Sequence, residues 1–268
     1  MAITWLPDAN RTERFGIDES KYQPDTDYAI MGSAAIPPVF GAARSSISYG
    51  YTDPWVGHHL RGFKSIGVNE RLAYHVLYPT EDPLAQVKRA VKALVDNDID
   101  PSMVAPVEDA ELVHGASAWS ITNKIERMLL MYEDSAFGRM PVIYTRPQWV
   151  SAHMLPIADW YEDVIWWMAA YTFTGREASE TLLINNMERY CPAIPLENVL
   201  FFQTSERGKG KAYGAKSESI DYDRFRGTHT DWLKFWRIGD TPPPPGPERL
   251  PIKVTVPFGK AVVTIVEE

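Results

Sequence analysis

The chain has 268 residues, 45% hydrophobic and 23% charged, a globular composition large enough for one big core and ordinary in size for a single α/β barrel. Its formal net charge of −8 argues against a nucleic-acid partner, which needs a basic face, and gives no support for electrostatic docking on an anionic surface. A single cysteine, Cys191, excludes an intramolecular disulfide framework and reads as a small buried hydrophobe.

Residues 1–15 (MAITWLPDANRTERF) lack the basic stretch followed by an apolar one that marks a Sec-type signal peptide. Phe15-Gly16-Ile17-Asp18 is a short apolar stretch ending in an acid. Strand-like segments follow at 41–48, 71–77, 103–109, 141–145, 163–171 and 198–204, with amphipathic patterns between them. Val56, Leu60, Phe63 and Ile66 share one helical face, and Gly67 suits its C-terminal stop. Asp82-Pro83 is a helix start, followed by Leu84, Val87, Val91 and Leu94 on one face. Ile121, Ile125, Met128, Leu129 and Tyr132 form a third helix that ends before Gly138. The longest apolar run, Val164 to Phe173, is far short of the roughly 20 residues of a spanning helix, so no membrane insertion is expected.

Ser219-Ile220-Asp221-Tyr222-Asp223 is a second apolar stretch running into acids. The proline-rich segment from Thr241 to Pro247 is a stiff spacer, and residues 252–257 and 261–266 flank a hairpin-like turn at Phe258-Gly259-Lys260. These boundaries give a main domain over 1–240, a linker over 241–250 and a β-hairpin tail over 251–268. Two strands alone are marginal, so the tail must pack on the main domain, on a removed segment or on another copy, the last giving self-association. Strand–helix alternation over the main domain argues for a mainly parallel sheet, open or closed.

The most informative segment is 102–111, an apolar stretch ending in Glu108, Asp109 and Glu111. Side chains at i and i+2 of a strand face the same way, so Asp109 and Glu111 project together, with Cα atoms roughly 7 Å apart, and Glu108 points to the other face. A buried strand that delivers two carboxylates at its C-terminal end is placed as barrel enzymes place catalytic groups. Glycoside cleavage needs one protonated carboxyl to serve the leaving oxygen and one carboxylate to stabilise the cationic sugar or activate the attacking group. Neighbouring acids push each other's pKa values apart, which helps to set those roles. The plainer alternative is a solvated strand end. His58-His59 and His75 form no recognised metal-ligand spacing, and His153 and His229 add no short motif, so neither a metal nor a cofactor is expected.

Taken in order, seven segments resemble the family 25 glycoside hydrolases, the Chalaropsis-type lysozymes that include many phage endolysins. FGIDESKYQ (15–23) is similar to the family's G-I-D-x-S-x-Y/W-Q. AARSSISYGYTDP (42–54) resembles R-x-S-x-G followed by D-P, and GFKSIGVNERLAYHVLYP (62–79) resembles G-A-x-x-A-G-x-x-x-G-x-Y-H-F. VEDAE (107–111) supplies D-x-E, RMPVIYTRPQW (139–149) resembles P-x-x-Y-T-x-x-x-W, and VIWWMAAYT (164–172) resembles L-W-x-A-x-Y. LFFQTSERGKG with SIDYDRFRGT (200–228) resembles the closing W-Q-Y-x-S and V-D-x-N-x-F-x-G.

The resemblance covers about 12–230 and implies an irregular, flattened TIM-like α/β barrel with eight strands and fewer helices than a full (β/α)8 barrel. It maps the family's acids onto Asp18, Asp109, Glu111 and Asp221. Glu111 becomes the general acid, Asp109 and Asp221 stabilise the cationic sugar, orient its N-acetyl group or activate water, and Asp18 holds the network. The implied reaction is hydrolysis of the β-1,4 bond between N-acetylmuramic acid and N-acetylglucosamine in bacterial peptidoglycan, with substrate assistance favoured. Tyr22, Tyr74, Tyr144, Trp149, Tyr171 and Gln203 fall at or beside family motifs and are candidate sugar contacts. Arg44 is expected to pair with Asp18 or a neighbour, and His75 to act as a hydrogen-bonded support rather than a base.

Some features depart from the family. Phe201-Phe202-Gln203 replaces the usual Trp-Gln, which is expected to alter a sugar subsite. Asp223 stands where Asn is common, and Thr174 to Pro195 reads as a partly helical insertion lining the groove. Action at the cell wall without a signal peptide implies phage-encoded cytoplasmic synthesis with release at lysis, or a trimmed secreted protein. A family 18 chitinase is excluded because its D-x-x-D-x-D-x-E pattern needs an acid where Val107 stands. The remaining rival is a catalytically weak barrel that binds wall glycan or serves as a phage structural part.

Overall fold

A computed structural model describes residues 14–172 and 176–236. The proposed linker and hairpin tail lie outside the described residues. Among the described residues, nine strands form one sheet: β1 (Phe15–Glu19), β2 (Phe40–Ile47), β3 (Tyr51–Thr52), β4 (Arg71–Val76), β5 (Ala105–Asp109), β6 (Val142–Thr145), β7 (Trp166–Ala169), β8 (Val199–Lys209) and β9 (Ser219–Phe225). Their order is β1-β9-β8-β7-β6-β5-β4-β2-β3, and an additional β1–β2 pairing closes eight of them into a barrel. The short β3 hangs on β2 as an antiparallel flap. Seven helices accompany the strands among the described residues: α1 (Tyr28–Gly32), α2 (Val56–Ser65), α3 (Pro83–Val95), α4 (Ala118–Glu133), α5 (Pro147–His153), α6 (Glu180–Tyr190) and α7 (His229–Trp236). The expected TIM-like barrel with eight strands and fewer helices is borne out.

The closed sheet is parallel from β1 through β2 and β4 to β8. Only β9 is reversed, antiparallel to both β8 and β1. Residues at the start of β9 therefore stand at the rim where the other strands end. Alternation sorts the side chains into two layers. Phe40, Ala42, Leu72, Ala105, Val107, Val142, Trp167, Phe201 and Phe225 fill the barrel interior. Gly16 has no room for a Cβ, because the Phe40 ring fills the space where it would stand. At the bottom, α7 plugs the barrel, with Phe235 5.0 Å from Phe201 and Trp232 5.0 Å from Phe225 between ring centroids. A larger outer cluster joins the opposite faces of the strands to the helices and includes Leu60, Val87, Leu94, Ile121, Ile125, Met128 and the buried Cys191.

Local signals explain the helix ends. The Asp82 carboxylate accepts the Ala85 N–H at 2.7 Å and Pro83 starts α3. Ser117 caps α4 through the Ser120 N–H, and Gly67 at φ +86° takes the left-handed turn after α2. Some segment edges differ from the sequence reading. Leu84 is 44% exposed, because α3 docks along Gln86, Val87, Ala90, Ala93 and Leu94 instead. Met103 lies in a 3-10 turn before β5, and the long apolar run at 163–171 contributes only the four residues of β7. The helical part of the expected groove insertion, α6, instead packs outside the barrel, with Leu183 and Met187 in the outer cluster.

Candidate active site

Most inward rows of the barrel are apolar below, and each ends in a polar or aromatic side chain at the rim. The rows end in Asp18, Arg44, Tyr74, Asp109, Tyr144, Trp167, Gln203 and Asp221, and all eight line one cleft of about 270 Å³. Ser20, Tyr22, Glu111, Arg146, Tyr171 and Glu206 complete its wall from the loops and the extended β8. Asp18 and Asp221 face each other as register partners across β1 and β9. Asp109 stands beside Tyr144 in the β5–β6 register, and Glu111 follows two residues on, past the strand end. The acids expected from distant parts of the chain thus meet in one place.

Hydrogen bonds fix the floor. Tyr144 donates to Gln203 Oε1 at 2.8 Å, and Gln203 Nε2 donates to Asp18 Oδ2 at 2.9 Å. Asp223, one inward step below Asp221, accepts the Trp167 indole N–H at 3.2 Å on Oδ1. Its Oδ2 has no hydrogen-bond partner among the described residues. Burial pushes Asp223 well above the usual carboxylate range, with the Asp18 and Asp221 charges adding to it. Asp18 itself is pushed up to about 6, mainly by burial.

Asp109 is raised well above its ordinary value by burial and then by the fields of Glu111, Glu108 and Asp18. Its Oδ1 has no partner among the described residues. Asp221 is raised in the same direction by burial, then by Asp18, Glu206 and Glu111. Glu111 is more open and accepts Arg146 Nε at 2.7 Å. The Arg146 guanidinium also lies 5.0 Å from the Tyr171 ring centroid. Arg44 pairs with Asp53, at 2.8 Å, and not with Asp18. It lies under Tyr22, 5.4 Å from the ring centroid. His75 faces outward behind the cleft, between Ser46 Oγ at 2.8 Å and Gln86 Oε1 at 3.3 Å, and burial pushes its pKa down to about 4, leaving it neutral.

The structure brings Asp18, Asp109, Glu111, Asp221, Tyr22, Tyr74, Tyr144, Tyr171, Gln203 and Arg44 into the cleft. Trp149 is a correction. It sits on α5, packs half-buried against the outer cluster and does not line the cleft, because its motif position falls on a helix outside the barrel. The Phe201-Phe202 substitution touches no subsite either: Phe201 fills the barrel interior and Phe202 the outer layer, both fully buried. Sequence reasoning missed Ser20, Arg146, Trp167 and Glu206 as cleft residues. The i, i+2 rule that joined Asp109 to Glu111 would also have joined Tyr144 to Arg146 and Asp18 to Ser20. Among the described residues, no group of three or more His, Cys, Asp or Glu side chains is arranged to hold a metal ion.

Comparisons with known proteins agree with this geometry. The sequence profile of the glycosyl hydrolases family 25 matches residues 17–209. Similar solved structures include the bacterial lysozyme from Streptomyces coelicolor, at 18% identity and TM-score 0.63, covering 82% of this chain and 94% of that one. The catalytic domain of endolysin ply40 from bacteriophage P40 of Listeria monocytogenes matches at 18% identity and TM-score 0.62, covering 83% and 96%. A muramidase from Acremonium alcalophilum matches at 18% identity and TM-score 0.62, covering 84% and 99%. At this identity the structural likeness establishes the fold. No curated protein matches the sequence significantly.

Proposed function

Because the chain belongs to the glycosyl hydrolases family 25 and is therefore a glycoside hydrolase, we propose that its substrate is bacterial peptidoglycan and that it acts as a muramidase. The bond cut is the β-1,4 link between N-acetylmuramic acid and N-acetylglucosamine. The observation that carries this reading is the convergence of Asp18, Asp109, Glu111 and Asp221 in one sugar-sized cleft walled by tyrosines.

The roles follow from position. Glu111 stands highest at the lip, where a leaving glycosidic oxygen can reach it, and acts as the general acid. The short contact with Arg146 keeps its carboxyl aimed into the cleft. Asp109 lies deeper, with one oxygen left for an acetamido N–H, which suits substrate assistance: the N-acetyl group attacks and Asp109 orients it. Asp221, across the cleft on β9, stabilises the cationic sugar or activates water. Asp18 holds Gln203, and through it Tyr144, in place. The site of action is the bacterial cell wall. No helix among the described residues is long and apolar enough to cross a membrane.

Clearing of a suspension of purified walls, followed by mass spectrometry of the products, tests the proposal. Muramic acid is expected at the new reducing ends. Glu111→Gln is expected to lower the rate about 10²–10⁴-fold with folding kept. Glucosamine at the reducing ends would mean a different glycosidase, and no reducing-sugar release from any peptidoglycan would mean a glycan binder.

A further inference from the structure

The loops after β4 and β5 carry a feature that the catalytic reading leaves unused. The rings of Tyr78 and His114 are stacked face to face, with centroids 4.2 Å apart and planes 23° from parallel. Tyr78 comes just after Leu77, whose N–H binds the Asp109 carbonyl at 2.9 Å, and His114 lies three residues beyond Glu111. The pair therefore stands on the catalytic rim, beside the general acid and outside the cleft lining. His114 is exposed and held at φ +44°, a left-handed conformation that costs a non-glycine residue energy.

The shelf is also rigid. Buried Gln86 grips Tyr78 on both sides, accepting its N–H at 2.8 Å and donating to its carbonyl at 3.1 Å. The loop after β4 is tied to α4 by Lys124, whose ammonium reaches the Glu81 carbonyl. In the first turn of α4, five residues after His114, Trp119 is 67% exposed. Stacked and exposed rings on fixed backbone offer apolar faces at little ordering cost, the property that sugar recognition needs.

We propose that Tyr78, His114 and Trp119 form an outer glycan subsite, which takes an N-acetylated pyranose of the same strand beyond the sugars that flank the cut bond. The inference rests on the peptidoglycan reading of the cleft and extends it: a polymeric substrate leaves the cleft over the β4 and β5 loops. The occupant is a sugar ring, held by stacking.

Defined peptidoglycan oligosaccharides of different length test it, in the full chain. Tyr78→Ala and Trp119→Ala are expected to lower kcat/KM about five- to tenfold on an octasaccharide, through KM, and to leave a tetrasaccharide within twofold. Equal losses on both lengths, or none on either, would overturn the proposal. His114→Gly separates subsite from scaffold: relief of the positive φ should raise the melting temperature while octasaccharide binding weakens. Unchanged binding in this variant would overturn it too. Titration calorimetry on Glu111→Gln protein reads the same length dependence without turnover. A wild-type chain that binds long strands through Tyr78 yet cuts nothing would sink the muramidase reading and leave the subsite standing.

Discussion

A carboxyl enclosed at a barrel rim resists ionisation, and Asp18 ties that resistance to stability. Burial and the fields of Glu19 and Glu111 lift it from 3.8 to about 6 against the opposing hydrogen bond from Gln203. The folded chain therefore holds this proton more tightly than the unfolded one. The stability that Asp18 contributes is full below about pH 4 and is lost as pH rises through about 6. Asp109, Asp221 and Asp223 are shifted in the same direction. Asp18→Asn should remove the Asp18 share, on the order of 3 kcal/mol at neutral pH. Melting curves should show the variant several degrees more stable than wild type near pH 7.5 and level with it near pH 4, with activity lost. Curves that stay parallel across that range would exclude Asp18 as the titrating group. The sequence showed only that the acids were present.

Strand β5 shows how one element serves two faces. Alternation sends Val107 and Asp109 inward and Glu108 outward, as the sequence pattern predicts. Glu108 is fully buried under α4, where its Oε2 accepts the Tyr132 hydroxyl at 2.7 Å and its Oε1 has no partner among the described residues. Burial raises its pKa well above the carboxylate range, so it packs as a neutral acid. Tyr132→Phe strands the second oxygen as well and should cost about 1–3 kcal/mol, read as a lower urea midpoint with an unchanged slope. An unaltered midpoint would mean that α4 is held by its apolar stripe alone. Helix α4 was legible because Ile121, Ile125, Met128 and Tyr132 repeat at helical spacing and all are buried. Strands β1 and β9 were not read as strands, because the apolar stretch in each runs at once into acids that look like turn residues.

For the whole molecule, the decisive feature is the reversed β9. In an all-parallel barrel, residues at the start of the last strand would lie at the bottom, away from the cleft. Running β9 backwards puts Asp221 opposite Asp18 and Asp223 beneath it. The same reversal delivers the chain to the bottom rim, where α7 folds under the barrel and Phe235, 4% exposed, meets Phe201 and Trp236. Phe235→Ala should remove about 3–5 kcal/mol of stability by opening a cavity beneath the interior stack, yet leave the cleft at the other end intact. A lower melting temperature with wall-clearing activity retained at low temperature is the expected result. Lost activity at a temperature where the variant is fully folded would show that the bottom plug shapes the site.

The sequence alone determined the barrel class, most strand and helix positions, and the four acids with most of their aromatic companions, because hydrophobic period and short ordered motifs are local properties of a chain. It did not determine which partner each charge takes, as the pairing of Arg44 with Asp53 shows. Nor did it reveal how far burial raises Asp18, the bridge from Arg146 to Glu111, or the exile of Trp149 to the outer layer. Those depend on strand direction and on register between segments distant in sequence, and only closure of the sheet sets either.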